Sequence, residues 1–251
     1  MRLPLMAGNW KMHKTVAESI AMAKELKDLV AGVVDVELLL CPTFVSLYAL
    51  SAELKGSNIK TGAQNVFWEE KGAFTGEISS QMVKDAGASY AIIGHSERRQ
   101  YFGETDETVN KRTIAAFSAQ VTPIVCVGET LQEREQDITF KVVETQLRGG
   151  MKGLSKEQSE TAVIAYEPVW AIGTGKTATP AQAQEVHVFI RKVYAEMYGD
   201  AAAQKVRILY GGSVKPDNVA ELMACPDIDG GLVGGASLEA ASFAKLAKLG
   251  K

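Results

Sequence analysis

The sequence predicts an α/β fold, a closed (β/α)8 barrel of eight parallel strands surrounded by helices. Three observations carry that expectation. Short β-branched or aliphatic runs alternate with helical patterns along the whole chain, at about 31 residues per pair, the size of a βα unit. No linker, low-complexity tract or shift in composition marks a boundary, so residues 1–251 are expected to form one barrel domain. Polar or glycine-rich clusters also follow nearly every strand, among them Asn9-Trp10-Lys11, Gln64-Asn65, His95-Ser96-Glu97, Gly128-Glu129, Glu167-Pro168, Gly211-Gly212-Ser213 and Gly234-Gly235. A barrel gathers function at the carboxyl ends of many strands, whereas an open doubly wound sheet gathers it at one switch point.

Strands are expected near Leu3 to Asn9, Val36 to Cys41, Ile59 to Ala63, Tyr90 to Ile93, Pro123 to Val127, Ala162 to Tyr166, Arg207 to Tyr210 and Gly231 to Val233. Helices are expected near Val16 to Val30, Ser46 to Leu54, Gln81 to Ala86, Thr108 to Ala119, Phe140 to Gly149, Pro180 to Tyr198, Asn218 to Met223 and Leu238 to Leu249. In the first helix Val16, Ile20, Ala23 and Leu26 repeat at three-to-four spacing, with Glu18, Lys24, Glu25 and Asp28 on the wet side. Thr179 before Pro180 supplies an N-cap hydroxyl and then proline at the first helical position, where its missing N–H costs nothing. Strands alternating with helices pair in parallel, with the helices covering the sheet.

Composition narrows the function classes. The chain is 46% hydrophobic and 23% charged, an ordinary globular balance. A net charge of −3 with no basic stripe argues against nucleic acid or an anionic membrane as partner, so an anionic ligand must be held locally. Cys41, Cys126 and Cys225 are odd in number and far apart, with no CxxC pair. They encode neither a disulfide framework nor a zinc site, and a reducing cytoplasm is the expected setting. The first eleven residues do not read as a signal peptide, and no apolar run approaches the roughly 18 residues of a membrane span.

The strand-end clusters carry the chemistry. If the first strand stays extended, Asn9 and Lys11 share a face and Trp10 takes the other; the same parity joins His95 to Glu97. A lysine on an inward face pairs with a carboxylate such as Glu97, which is compatible with catalysis. Gly94-His95-Ser96-Glu97-Arg98 nearly spells a nucleophile elbow, but Arg98 stands where the second glycine is needed, which removes the hydrolase reading. Pro168, the apolar Val169-Trp170-Ala171-Ile172 and the flexible Gly173-Thr174-Gly175 form a rigid hinge, a greasy tip and a glycine-rich end, the parts of a lid beside Glu167. The same loop mimics dinucleotide and P-loop fingerprints, yet its helix begins only at Pro180 and Trp170 stands where a P-loop's first glycine belongs. The glycine clusters after the seventh and eighth strands fit the barrel's frequent phosphate site.

With these residues in view the chain closely resembles the triosephosphate isomerase family. The match runs in family order through Ala7-Gly8-Asn9-Trp10-Lys11-Met12, Gly62-Ala63-Gln64-Asn65, Ile93-Gly94-His95-Ser96-Glu97-Arg98-Arg99, the stretch from Ala165 to Lys176, Tyr210-Gly211-Gly212-Ser213 and Leu232-Val233-Gly234-Gly235. The resemblance implies a glycolytic and gluconeogenic isomerase with a TIM-barrel fold, acting on a triose phosphate through an enediolate without metal or organic cofactor. By resemblance, Glu167 is the base, a neutral His95 the electrophile, Lys11 and Asn9 hold substrate oxygens, and Glu97 joins the catalytic set. Gly173, Ser213, Gly234 and Gly235 would bind phosphate under a lid of Pro168 to Lys176 that excludes water. Val66 to Glu77, with Phe67, Trp68 and Phe74, would be a protruding interface loop of a homodimer, Thr75 reaching the partner's site. A Schiff-base enzyme using Lys11 and a catalytically idle scaffold are the competing readings.

Overall fold

A computed structural model describes residues 2–172 and 177–250. Its strands are β1 (Leu5–Asn9), β2 (Glu37–Cys41), β3 (Ile59–Ala63), β4 (Tyr90–Ile93), β5 (Thr122–Val127), β6 (Val163–Tyr166), β7 (Arg207–Tyr210) and β8 (Gly230–Val233). They pair in sequence order, each parallel to the next, and β8 returns to β1 with Leu5 opposite Gly230, closing the barrel. The helices are α1 (Val16–Val30), α2 (Phe44–Glu53), α3 (Ser80–Asp85), α4 (Ser96–Phe102), α5 (Asp106–Ser118), α6 (Leu131–Glu135), α7 (Thr139–Gly150), α8 (Lys156–Thr161), α9 (Pro180–Tyr198), α10 (Asp200–Lys205), α11 (Val219–Met223) and α12 (Ala240–Ala247).

The period of two in each strand sorts the apolar residues into two cores. Leu5 and Ala7, Leu39 and Cys41, Ile124 and Cys126, and Val163 and Ala165 join one cluster inside the barrel. Met6, Leu38, Leu40, Val125 and Ile164, one residue out of phase, join a larger cluster between barrel and helices. Parallel strands buried on both faces therefore read as unbroken apolar runs. At the carboxyl ends the inward phase reaches Asn9, the last residue of β1, and carried past the strand ends it reaches Gln64 after β3, Glu167 after β6 and Gly211 after β7. At the opposite mouth it places Glu37, Lys60, Tyr90 and Arg207. There Glu37 accepts from the Tyr90 hydroxyl at 2.7 Å and pairs with Lys60 and Arg207 at 2.6 Å each.

The long helices stand where their sequence signals put them. Thr15 and Glu18 form a capping box at the start of α1; Thr179 and Gln182 form another at α9, with proline in its first turn. Strand and helix limits coincide with expectation at half of the ends and shift by one or two residues at the others. Four helices arise where loops were expected: α4, α6, α8 and α10, none longer than seven residues. They are too short to show a repeat of 3.6.

Candidate active site

A cavity of about 650 Å³ opens at the carboxyl ends of the strands, bordered by Asn9, Lys11, His95, Glu167 and the glycine loops after β7 and β8. Glu167 enters it on the inward phase of β6 and is 2% exposed. Its neighbours make room: a Cβ on Gly211 would approach the Glu167 Cγ to 2.9 Å. Asn9, 5% exposed, likewise follows from β1.

His95 arrives by a different route. The inward phase of β4 runs through Tyr90 and Ile92, so a continuing strand would turn His95 outward. Gly94 breaks the strand with φ of +68°, a conformation open to glycine, and α4 begins at Ser96. His95 is the N-cap of α4, and its Nδ1 accepts the Glu97 N–H at 3.2 Å. The expected His95–Glu97 parity is therefore wrong, because this segment is helical. Its helical turn brings Glu97 near His95 by another route. The extended-strand expectation also fails at Lys11, whose φ is +49°. That left-handed turn costs a non-glycine residue about 1–2 kcal/mol. The Lys11 N–H is fixed by Asn9 Oδ1 at 3.0 Å, and Nζ meets Glu97 at 2.6 Å, the pairing anticipated from the sequence.

Glu167 is held from two sides. One carboxylate oxygen accepts the Ser96 N–H at 2.9 Å, and the other lies 2.9 Å from His95 Nε2. With Nδ1 occupied as an acceptor, a neutral imidazole carries its proton on Nε2, the atom aimed at the carboxylate. Burial works against a charged His95, but the Glu167 carboxylate beside it raises its pKa above the ordinary value. Glu167 shifts the other way: burial opposes its charge, and the neighbouring His95 outweighs that, with help from the Ser96 amide and Lys11. In this arrangement the carboxylate is ionised.

The glycine-lined end of the cavity lies beside Lys11, since a Cβ on Gly234 would sit 3.6 Å from the Lys11 Cε. Ser213 borders the same cavity, and its carbonyl accepts from Asn218 Nδ2 at 3.0 Å, which braces the loop after β7. Gly235 opens a short 3-10 turn, Gly235–Ser237, and a Cβ there would meet nothing within 4 Å.

In the segment expected to form a lid, Val169–Ala171 is a 3-10 turn after Pro168, and Ile172 borders the cavity. The Trp170 indole donates to Glu129 at 2.8 Å, beneath the Arg134 guanidinium at 4.9 Å from its ring. Gly173, Thr174, Gly175 and Lys176 lie outside the described residues. Glu129, fully buried, also accepts from the Tyr166 hydroxyl, a role for the Gly128-Glu129 cluster that its sequence did not specify. Ser96 was missed as well, because it acts through its backbone. In the loop after β3, Phe74 and Thr75 are exposed, but Phe67 is buried against Trp68 and Phe74, with ring centroids 4.2 and 4.9 Å away. Phe67 thus packs on its own loop, while Phe74 stays exposed at its tip.

An ionised carboxylate, an oriented imidazole and an ammonium around a glycine-lined cavity, at the carboxyl mouth of a parallel barrel, define a (β/α)8 enzyme of the proton-transfer class. The triosephosphate isomerase family model matches residues 4–250. Curated relatives named triosephosphate isomerase include those of Endomicrobium trichonymphae, 66% identical over the whole of both chains, and Citrifermentans bemidjiense, 60% identical over 99% of each. A solved triosephosphate isomerase from Bartonella henselae superposes with a TM-score of 0.90 at 40% identity, covering 98% of each chain. The chain belongs to the triosephosphate isomerase family.

Proposed function

We propose that this chain, as a single barrel domain, interconverts dihydroxyacetone phosphate and D-glyceraldehyde 3-phosphate, serving glycolysis and gluconeogenesis in the cytoplasm. The observation that carries the reading is the buried Glu167 beside an imidazole whose Nε2–H is oriented into the same cavity. Substrate entering between them replaces the carboxylate as the acceptor of the His95 proton. Glu167 then loses the His95 contact, the strongest of those that stabilise its charge, while its burial and the Ser96 N–H remain, and its basicity rises as it meets the carbon acid. It takes a proton from one carbon, and the electron pair moves onto the carbonyl oxygen. The resulting enediolate is stabilised by the His95 N–H and the Lys11 ammonium. His95 gives its Nε2 proton to the former carbonyl oxygen and takes one from the neighbouring hydroxyl. As that second oxygen becomes the new carbonyl, the same carboxylate returns its proton to the carbon that was the carbonyl carbon.

Gly234, Gly235 and Ser213 border the cavity and are proposed to donate N–H groups to the phosphate, with Lys11 supplying charge and Asn9 a polar contact. Residues 168–176 act as the lid, anchored at Trp170 by Glu129. Lys11, paired with Glu97, serves here as a fixed charge, which disfavours the Schiff-base reading. No metal or organic cofactor is drawn on. Among the described residues no three metal-ligating side chains gather, and no helix is long and apolar enough to cross a membrane.

The working form is proposed to be a homodimer. Met12, Val45, Tyr101 and Phe102, between 68% and 92% exposed, follow β1, β2 and β4, and with Phe74 and Thr75 after the intervening β3 they share one side of the barrel. A sedimentation mass of one chain at micromolar protein would count against this. The reaction itself is tested by incubating substrate with enzyme in deuterated water. Deuterium is expected at the two carbons between which the carbonyl migrates, with interconversion in a coupled assay; neither exchange nor turnover would overturn the reading.

A further inference from the structure

We infer that Gln64 is a positioning residue that locks the backbone of Lys11 in the conformation from which its ammonium reaches the cavity. The inference rests on the role of Lys11 proposed above. Gln64 follows β3 on the inward phase of Lys60 and Gly62. Its amide nitrogen lies 2.9 Å from the carbonyl of Lys11 and 2.9 Å from that of Cys41. Carbonyl oxygens only accept, so the nitrogen and not the oxygen of the Gln64 amide faces them, and both its hydrogens are used. The Cys41 carbonyl also accepts the Trp10 N–H at 3.1 Å, so one side chain ties together the ends of β1, β2 and β3.

The geometry around Lys11 explains why such a tie is needed. At φ of +49° a lysine is in a sparsely populated region and persists there only if its surroundings hold both flanking peptides. The peptide on its amino side is held through the Lys11 N–H by Asn9 Oδ1. The peptide on its carboxyl side is held through the Lys11 carbonyl by Gln64. Releasing the second lets the backbone relax, and the direction of the Cα–Cβ bond turns with it. The ammonium then leaves its place between Glu97 and Gly234. Glu97 holds only the tip of a long side chain and cannot restore that direction.

The test is a double-mutant cycle on the full chain with glyceraldehyde 3-phosphate as substrate. Gln64→Met keeps the length of the side chain and removes both donors. It is expected to lower kcat/KM on the order of tenfold to a hundredfold, the scale of a misplaced reacting group. In a Lys11→Ala background the same change is expected to cost no more than about twofold, because there is no ammonium left to misplace. An equal loss in both backgrounds, or no loss with Lys11 present, overturns the inference. If Lys11→Ala alone leaves turnover intact, it is the role of Lys11 that fails instead. Should Gln64→Met not fold, Gln64→Glu, which keeps the shape and turns the donors into acceptors, takes its place in the same cycle.

Discussion

At the amino-terminal mouth of the barrel, Glu37, Lys60, Tyr90 and Arg207 satisfy one another from four strands. At the carboxyl-terminal mouth, Glu167, His95, Lys11 and Glu97 also pair closely, yet around a cavity and on a backbone bent at Gly94 and Lys11. Both mouths hold a buried carboxylate in its charged form. The difference lies in the partners. Those of Glu37 are side chains rooted in rigid strands with no ligand to displace them, so the charge contributes to stability. One partner of Glu167 is an imidazole that substrate can take over, so its charge is available for chemistry. Polarity inside a barrel therefore says little by itself; access and exchangeable partners decide its use.

The largest effect that would sharpen this contrast is on rate. Glu167→Gln is expected to lower kcat by about a thousandfold or more, the upper part of the range for losing a general base, with KM little changed. Unfolding stability should be unchanged or higher, and a parallel fall in stability would erase the distinction between the mouths. Glu37→Gln should do the reverse, costing about 3 kcal/mol in denaturant unfolding as it leaves Arg207 and Lys60 without a counter-charge, while kcat stays near that of the parent. Burial opposes the charge of Glu37, but Lys60, Tyr90 and Arg207 pull its pKa from 4.5 to about 2. A carboxylate with a depressed folded-state pKa stabilises fully above its unfolded value and loses that contribution as pH falls through the folded one. The parent chain should thus lose stability between about pH 4.5 and 2, and Glu37→Gln should lose less across that window. Identical slopes would assign the acid sensitivity elsewhere. The smallest effect concerns neither mouth: Thr179→Ala removes the cap of α9 and should cost about 1 kcal/mol in unfolding without changing catalysis at saturating substrate. A large kcat loss there would mean that the helix start governs the lid.

The alternation of apolar runs and helical spacing made the barrel legible, because strands buried on both faces and long one-sided helices each leave a pattern over many residues. Val16–Val30 and Pro180–Tyr198 are recovered at both ends for that reason, helped by their threonine caps. The helices α6 and α8 carried only their capping boxes, Thr130 with Glu133 and Ser155 with Gln158. Those pairs were the one available signal. In the site, Glu167 and Asn9 could be placed because strand phase continues to them. His95 and Lys11 could be nominated but not oriented, since Gly94 and a left-handed lysine break the phase just where they sit. Ser96 contributes an amide, which every residue but proline owns, and so leaves no mark in a sequence.

Ring closure carries a consequence for how the chain comes into being. Leu5 pairs with Gly230, so the first strand made has one of its two neighbours only when the last is complete. Until then β1 and the growing end each offer a row of free N–H and C=O groups flanked by apolar side chains, a template for pairing with another chain. A chain cut before β8 would keep seven strands' worth of burial and still be left with two open edges. Loss of the final βα unit is therefore expected to make the chain aggregate, an effect beyond the loss of that unit's own burial.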